Sequence, residues 1–407
     1  MDILVQLGDV KAAELEAQAD CHFVKRAFQD AQGCLLQAAA IRNNDGDLVG
    51  AGNCAQKIGL VRYFLGDQTG AIRSYEEALE FRRRVDDLRG QGVTLGRMAE
   101  VFQRGGQHAK AVGLLEDSMR LFTQVNATKD IGTVLHNMAV SYREMGIADK
   151  AMQCYERSLA IRRQACDFNG LAATLHNLAV LYFDQSQFEG ARQLLAEAFD
   201  LRKTMGDTQG LGQTILCLGR LHMQEGDAPS AIECYEEALR LAKEGGQGEA
   251  DKAVALLNLA DVLSGQGEVG RPLVMLDEAE KLFADKGMMP GVAASHYGRG
   301  RVLYAAGRAT EALACFEVAK SHFTKLADRP RLINTGIAIG NILSECRRHQ
   351  DAHDVFASVL ELQRQMERLQ DEAITLRLIS RECAALGDAT GTRNAAEIAT
   401  DMPVESR

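Results

Sequence analysis

GIADKAMQCYERSLAIRR, residues 146–163, sets a glycine, a small residue five positions on, an aromatic four beyond it and a second small residue three further. These are Gly146, Ala151, Tyr155 and Ser158. GDQTGAIRSYEEALEFRR at 66–83 repeats the set as Gly66, Ala71, Tyr75 and Ala78, and GDAPSAIECYEEALRLAK at 226–243 as Gly226, Ala231, Tyr235 and Ala238. Spacings of three and four describe one face of an amphipathic helix, and the glycine marks the turn before it. The first small residue recurs every 40 residues, at Ala31, Ala71, Ala111, Ala151, Ala191 and Ala231. After one inserted residue it continues at Pro272, Ala312, Ala352 and Thr392.

A second helical pattern precedes each turn: LHNMAVSYREMG at 135–146, LHNLAVLYFDQS at 175–186 and LLNLADVLSGQG at 256–267. The unit is therefore helix A, a short turn and helix B, and segments such as VDDLRGQG (85–92) and MGDTQGLG (205–212) read as longer linkers into the next helix A. Small residues beside large ones (Ala139, Ala151 and Ser158 against Tyr142 and Tyr155) let neighbouring helices approach closely. Tryptophan is absent and prolines number 5, while no segment keeps the apolar/polar alternation of a half-buried strand.

Together these positions resemble the tetratricopeptide repeat, over roughly residues 12–400. The resemblance implies an all-α, right-handed superhelical solenoid of about ten helix-turn-helix repeats that holds other proteins. The commonest form repeats about every 34 residues and ends each unit on a proline that is missing here. The longer period is similar to that of the Pins/LGN scaffolds and, more loosely, of kinesin light chains. The ends depart from the pattern as capping units do: Arg26 stands at the first turn glycine, and Cys383, Thr392 and Ala396 replace bulky residues in the last unit. The segment beyond Met402 is expected to fray.

The insertion lies in KEGGQGEADK, 243–252. It divides the expected array into residues 1–242, a Gly-rich linker at 243–252 that forms a possible bend, and residues 253–407. Pro272 requires the following helix B to start late.

A formal net charge of -10 argues against nucleic acid. The 10 cysteines stand singly and form no CxxC pair, so free thiols in a reducing compartment are expected. No leader is recognisable and no apolar stretch approaches the roughly 20 residues of a membrane span. A soluble, cytoplasmic protein without membrane insertion follows as the expectation.

The resemblance places the partner-binding groove on the A helices. Its candidates there are Lys57, Arg97, Arg104, His136, Asn137 and Arg143, continuing through His176, Asn177, Arg220, Asn258 and Arg301. An asparagine amide both donates and accepts, so a row of them can hold a peptide backbone. Arginine adds bidentate recognition of carboxylates. The expected ligand is a partner segment with acidic residues and apolar anchors. The alternative is that Asn137 and Asn177 bond neighbouring helices and hold the pitch.

His136 and His176 match by repeat inheritance and lack an assured third ligand, so no metal is assigned. His349 and His353 are four apart, but the helix is expected to begin between them. P-loop, nucleophile-elbow and HExxH patterns are missing, so neither enzymatic activity nor a cofactor is expected. Lys57 and Asn137 are two repeats apart with Arg97 between, which disfavours a carboxylate clamp for chaperone tails. The function expected is a scaffold or adaptor. Alternatives are a structural subunit of an oligomeric, cytoskeletal or ciliary complex, or a peptide-gated regulator; the oligomeric state is left open.

Overall fold

The computed structural model describes residues 2–245, 248–366 and 369–401. Helices and short turns make up all of them, with no strand among the described residues. The chain divides into two compact units, Met1–Met205 and Gly206–Arg407. Unit 1 contains α1 (Asp2–Val24), α2 (Phe28–Asn44), α3 (Leu48–Phe64), α4 (Gln68–Arg84), α5 (Leu88–Arg104), α6 (His108–Gln124), α7 (Thr128–Glu144), α8 (Ala148–Gln164), α9 (Phe168–Asp184) and α10 (Phe188–Met205). Unit 2 contains α11 (Thr208–Gln224), α12 (Ala228–Gly245), α13 (Glu249–Gly265), α14 (Gly270–Asp285), α15 (Met289–Ala305), α16 (Ala309–Lys325), α17 (Arg329–Glu345), α18 (His349–Gln365), α19 (Leu369–Ala385) and α20 (Ala389–Asp401). In each unit an odd-numbered A helix pairs with the B helix after it, and each hairpin packs on the next to form an all-α solenoid. The A helices α3, α5, α7 and α9 also touch in series, as do α11, α13 and α15.

The 40-residue period comes from longer helices, not from longer linkers. Most helices run 17 residues, and the joints between hairpins are as short as those within them. VDDLRGQG is the clearest case: α5 already starts at Leu88, because the Asp87 carboxylate accepts from Gly90 N at 2.8 Å. That cap satisfies one of the open N–H groups of the first turn. Asp67 and Asp167 cap their helices in the same way. At the first turn Arg26 takes φ 58, the left-handed conformation that Gly66 adopts one repeat later.

Tyr75, Tyr155 and Tyr235 are fully buried with the small residues that announce them. Opposite most of the B-helix aromatics the A helix carries glycine. A Cβ at Gly59 would meet the Tyr75 ring at 2.6 Å, one at Gly219 the Tyr235 ring at 2.6 Å, and one at Gly340 the Phe356 ring at 2.4 Å. Ala139 faces Tyr155 instead, whose ring leans edge-on against His136 at 5.7 Å.

Pro272 delays its helix as the sequence requires: α14 opens at Gly270, after Val269 at φ -121, ψ -52. Gly246 and Gln247 of the Gly-rich segment, and residues 402–407, lie outside the described residues. In contrast to the expectation for His349 and His353, α18 begins at His349 and holds both. The terminal Cys383 is buried with Ala395 and Ala399.

Candidate functional site

On the A face of unit 1 the polar residues form a ladder between successive hairpins. Asn177 Nδ2 donates to His136 Nε2 at 3.2 Å, so the ring proton sits on Nδ1, 3.0 Å from Thr174 Oγ1. Thr174 in turn donates to the Gly170 carbonyl. Burial, with Arg162 and Arg143 nearby, pushes the His136 imidazole down to about 4, so the ring is neutral at physiological pH. His176 is pushed down to about 4 by burial and by Arg202 and Arg143. Gln103 Nε2 reaches the Asn137 carbonyl at 2.8 Å and Ser141 Oγ at 2.7 Å, tying α5 to α7.

The two central asparagines are thus not equivalent. Asn177 holds its neighbour, whereas no hydrogen bond among the described residues uses the Asn137 side-chain amide. Asn137 instead lines a pocket of about 180 Å³ with Arg97. Val93, Leu115, Phe122 and Val134 supply apolar walls; Glu100, Asp130 and Thr133 add polar ones. The cavity lies where Gly96 brings no side chain and Phe122 replaces an arginine. Gly96 stands in the column that carries His136 and His176, and a Cβ there would meet nothing within 4 Å. Phe122 stands where the other joints place Arg82 or Arg162. Arg82 fills its joint by donating to the Gly90 carbonyl, to Thr94 Oγ1 at 3.0 Å and to Asn53 Oδ1 at 3.3 Å. In the sequence the pocket is marked by Gly96, where the next two repeats carry histidine, and by Phe122, where the neighbouring joints carry arginine, and neither substitution forms a motif.

Several basic candidates already have anionic neighbours. Lys57 pairs with Asp20 at 2.9 Å, Arg97 with Glu100 at 2.9 Å and Arg143 with Glu144 at 2.8 Å. Burial works against the Arg97 charge, but the Glu100 carboxylate outweighs it and holds the guanidinium above its ordinary value. Arg104 lies over the Tyr63 ring, 4.9 Å from its centroid. The face therefore offers paired arginines, not a bare positive strip.

In unit 2 Arg301 pairs with Asp261, and Arg220 lies beside the buried Tyr235. Asn258 Nδ2 is buried without a hydrogen-bond partner among the described residues. A polar knot missed in the sequence joins the last hairpins: Glu382, fully buried, accepts from Ser344 Oγ at 2.8 Å and lies 2.8 Å from His349 Nδ1. Burial pushes this carboxyl upward, but hydrogen bonds from His349, Ser344 and Arg381 hold it below the usual range. Among the described residues no three His, Cys, Asp or Glu side chains gather as a metal site, and no helix is long and apolar enough to cross a membrane.

Solved structures with the same fold include the apo form of the quorum sensor NprR from B. thuringiensis, 13% identical over 87% of this chain and 98% of that one, with a TM-score of 0.61. Aspartyl phosphate phosphatase F from Bacillus subtilis is 13% identical over 87% and 94%, with a TM-score of 0.57. The apo form of RapI is 13% identical over 68% and 99%, with a TM-score of 0.56. A search of curated proteins finds no match. The tetratricopeptide-repeat family model matches residues 90–164, 130–204, 211–284 and 291–365. With more than half of its length matched, the chain belongs to the tetratricopeptide-repeat family.

Proposed function

We propose that the chain is a cytoplasmic, non-catalytic adaptor that captures a segment of another protein on the A face of unit 1. The Gly96 pocket carries this reading. It places an apolar hole, a free amide and a guanidinium within reach of one side chain and its backbone. An aliphatic or aromatic anchor fills the hole against Leu115 and Phe122. The Asn137 amide bonds the peptide backbone beside it. A carboxylate on the segment exchanges with Glu100 on Arg97, so acidic partners are favoured more in selectivity and on-rate than in raw affinity. Asn177, already bonded to His136, holds the spacing of the hairpins and positions the face. The fold alone is shared with the quorum sensor NprR, which makes a peptide-gated regulator the nearest alternative, but nothing in unit 1 favours it.

Gly96→Leu tests the reading, because it fills the pocket from a position with room for a side chain. Proteins captured from native lysate by the wild-type chain should be lost from the variant, with helicity and Tm no lower than those of the wild type. Retention of the same proteins by Gly96→Leu and by Asn137→Ala would remove the pocket from the function.

A further inference from the structure

We propose that the joint between α11, α12 and α13 in unit 2 is a binding site for a primary ammonium group. One column near the ends of the B helices points to it. That column reads Arg42, Arg82, Phe122, Arg162, Arg202, Ala242, Phe283, Phe323 and Gln363. Every member but Ala242 is large, and from Arg82 onward the large ones are buried. Ala242 leaves its joint open, with a cavity of about 40 Å³. Ala238, Leu241 and Ala242 wall it on α12, and Thr208, Gln209 and Asp251 bring polar side chains to it.

The third position of the A helices faces this column and sets the charge. It reads Gly50, Gly90, Asp130, Gly170, Gly210, Asp251, Gly291, Arg331 and Asp371. Glycine makes room for arginine: a Cβ at Gly90 would meet Arg82 Nη1 at 2.8 Å, and one at Gly50 would meet Arg42 Cδ at 2.6 Å. The arginine is balanced by the N-cap aspartate of the next helix, Asp87 for Arg82 and Asp167 for Arg162. At the α12 joint Ala242 and Gly248 replace both members of that pair, and Asp251 is added. A carboxylate therefore stands where other joints place a guanidinium.

Its charge is unanswered. Asp251 makes no ion pair among the described residues, whereas Asp130 in the same column pairs with Arg89 at 2.9 Å. Burial pushes the Asp251 carboxyl upward, and a hydrogen bond from Gln213 offsets this only in part. Neighbouring charges are engaged elsewhere: Lys252 pairs with Glu278, and Glu249 with Lys286. Lys243 lies with Arg271 along the groove between α12 and α14.

Size selects ammonium over guanidinium. One water needs roughly 10–15 Å³ of such volume, so the cavity admits about three water-sized groups, an ammonium with the end of its alkyl stem. Asp251 itself occupies the place that a guanidinium takes at the arginine joints. An ammonium is a compact charge with three donors. The Asp251 carboxylate, the Thr208 hydroxyl and the Gln209 amide oxygen are acceptors for them, and Ala238 and Leu241 receive the stem.

The test uses the full chain labelled with 13C at its alanine methyls, because Ala238 and Ala242 report on the cavity. It is titrated with n-butylammonium, with a blocked Ala-Lys-Ala peptide, and with the same peptide carrying norleucine or arginine in place of lysine. Both ammonium probes should shift the two methyl signals saturably. The norleucine peptide should leave them in place, and the arginine peptide should bind several-fold more weakly. Tighter binding of the lysine peptide than of n-butylammonium assigns the site to a lysine of another protein; otherwise it is assigned to a free amine. Asp251→Asn should weaken both ammonium probes by about tenfold. Ala242→Lys supplies the ammonium in cis, so it should raise Tm and abolish the shift at Ala238, which keeps the test decisive if Asp251→Asn fails to fold. No shift with either ammonium probe, an equal response to norleucine or arginine, or wild-type binding by Asp251→Asn would overturn the proposal.

Discussion

His136 is the residue on which the A-face ladder turns. Its two nitrogens need opposite roles: Nε2 must accept from Asn177 while Nδ1 donates to Thr174. Only the neutral ring does both. Burial enforces that state, with the imidazole pushed down to about 4. Because the folded value lies below the ordinary 6.5, the unfolded chain binds more protons as the pH falls. The stability from the neutral ring is complete above 6.5 and is lost as the pH falls towards 4. At pH 5 the loss is about 2 kcal/mol for His136. Gln in its place can accept from Asn177 and donate to Thr174 without titrating. Urea unfolding at pH 7.5 and pH 5 should therefore show the wild type losing about 2 kcal/mol more than His136→Gln. Equal losses would mean that the ring is not held neutral.

Between helices, the size of one side chain decides how closely the next can lie. Gly340 faces the buried Phe356 ring, and a Cβ there would meet it at 2.4 Å. Gly96 sits at a comparable mid-helix position with nothing within 4 Å. Alanine improves helix propensity over glycine by about 1 kcal/mol. Gly96→Ala should keep that gain, whereas Gly340→Ala should lose about 1–3 kcal/mol to overpacking. Denaturation midpoints of the two variants, moving in opposite directions, check the argument; a stabilised Gly340→Ala would refute it. This column also shows what was legible in the sequence. The Gly66, Ala71, Tyr75 spacing fixed hairpins and register because it is periodic. The joints are legible only in part: the glycines after Asp87 read as linker, although an aspartate cap with Gly90 behind it starts a helix. On the site, Asn137 and Asn177 looked alike. They differ through the residue one hairpin away: His136 takes the Asn177 amide, and the same column holds only Gly96 beside Asn137. A missing side chain leaves no motif to find.

Taken as a whole, the chain gains its stability from neighbouring hairpins, so where it is cut matters more than how much is removed. The inserted residue at 243–252 suggests that 253–407 stands as a piece of its own, yet the packing around it argues for a different seam. Leu239 of α12 lies against the buried Ala253 and Leu256 of α13, in a cluster that also includes Phe283 and Val292. Removing α11 and α12 uncovers that cluster along the length of α13 and exposes apolar surface worth ~25 cal/mol per Å². The compact unit begins at Gly206, so a chain of residues 206–407 keeps the cluster closed. Expressed separately, 206–407 should melt cooperatively with the helicity of five hairpins. Residues 253–407 should melt at a lower temperature and bind a dye for exposed apolar surface. Equal melting temperatures for the two fragments would restore the seam to 243–252.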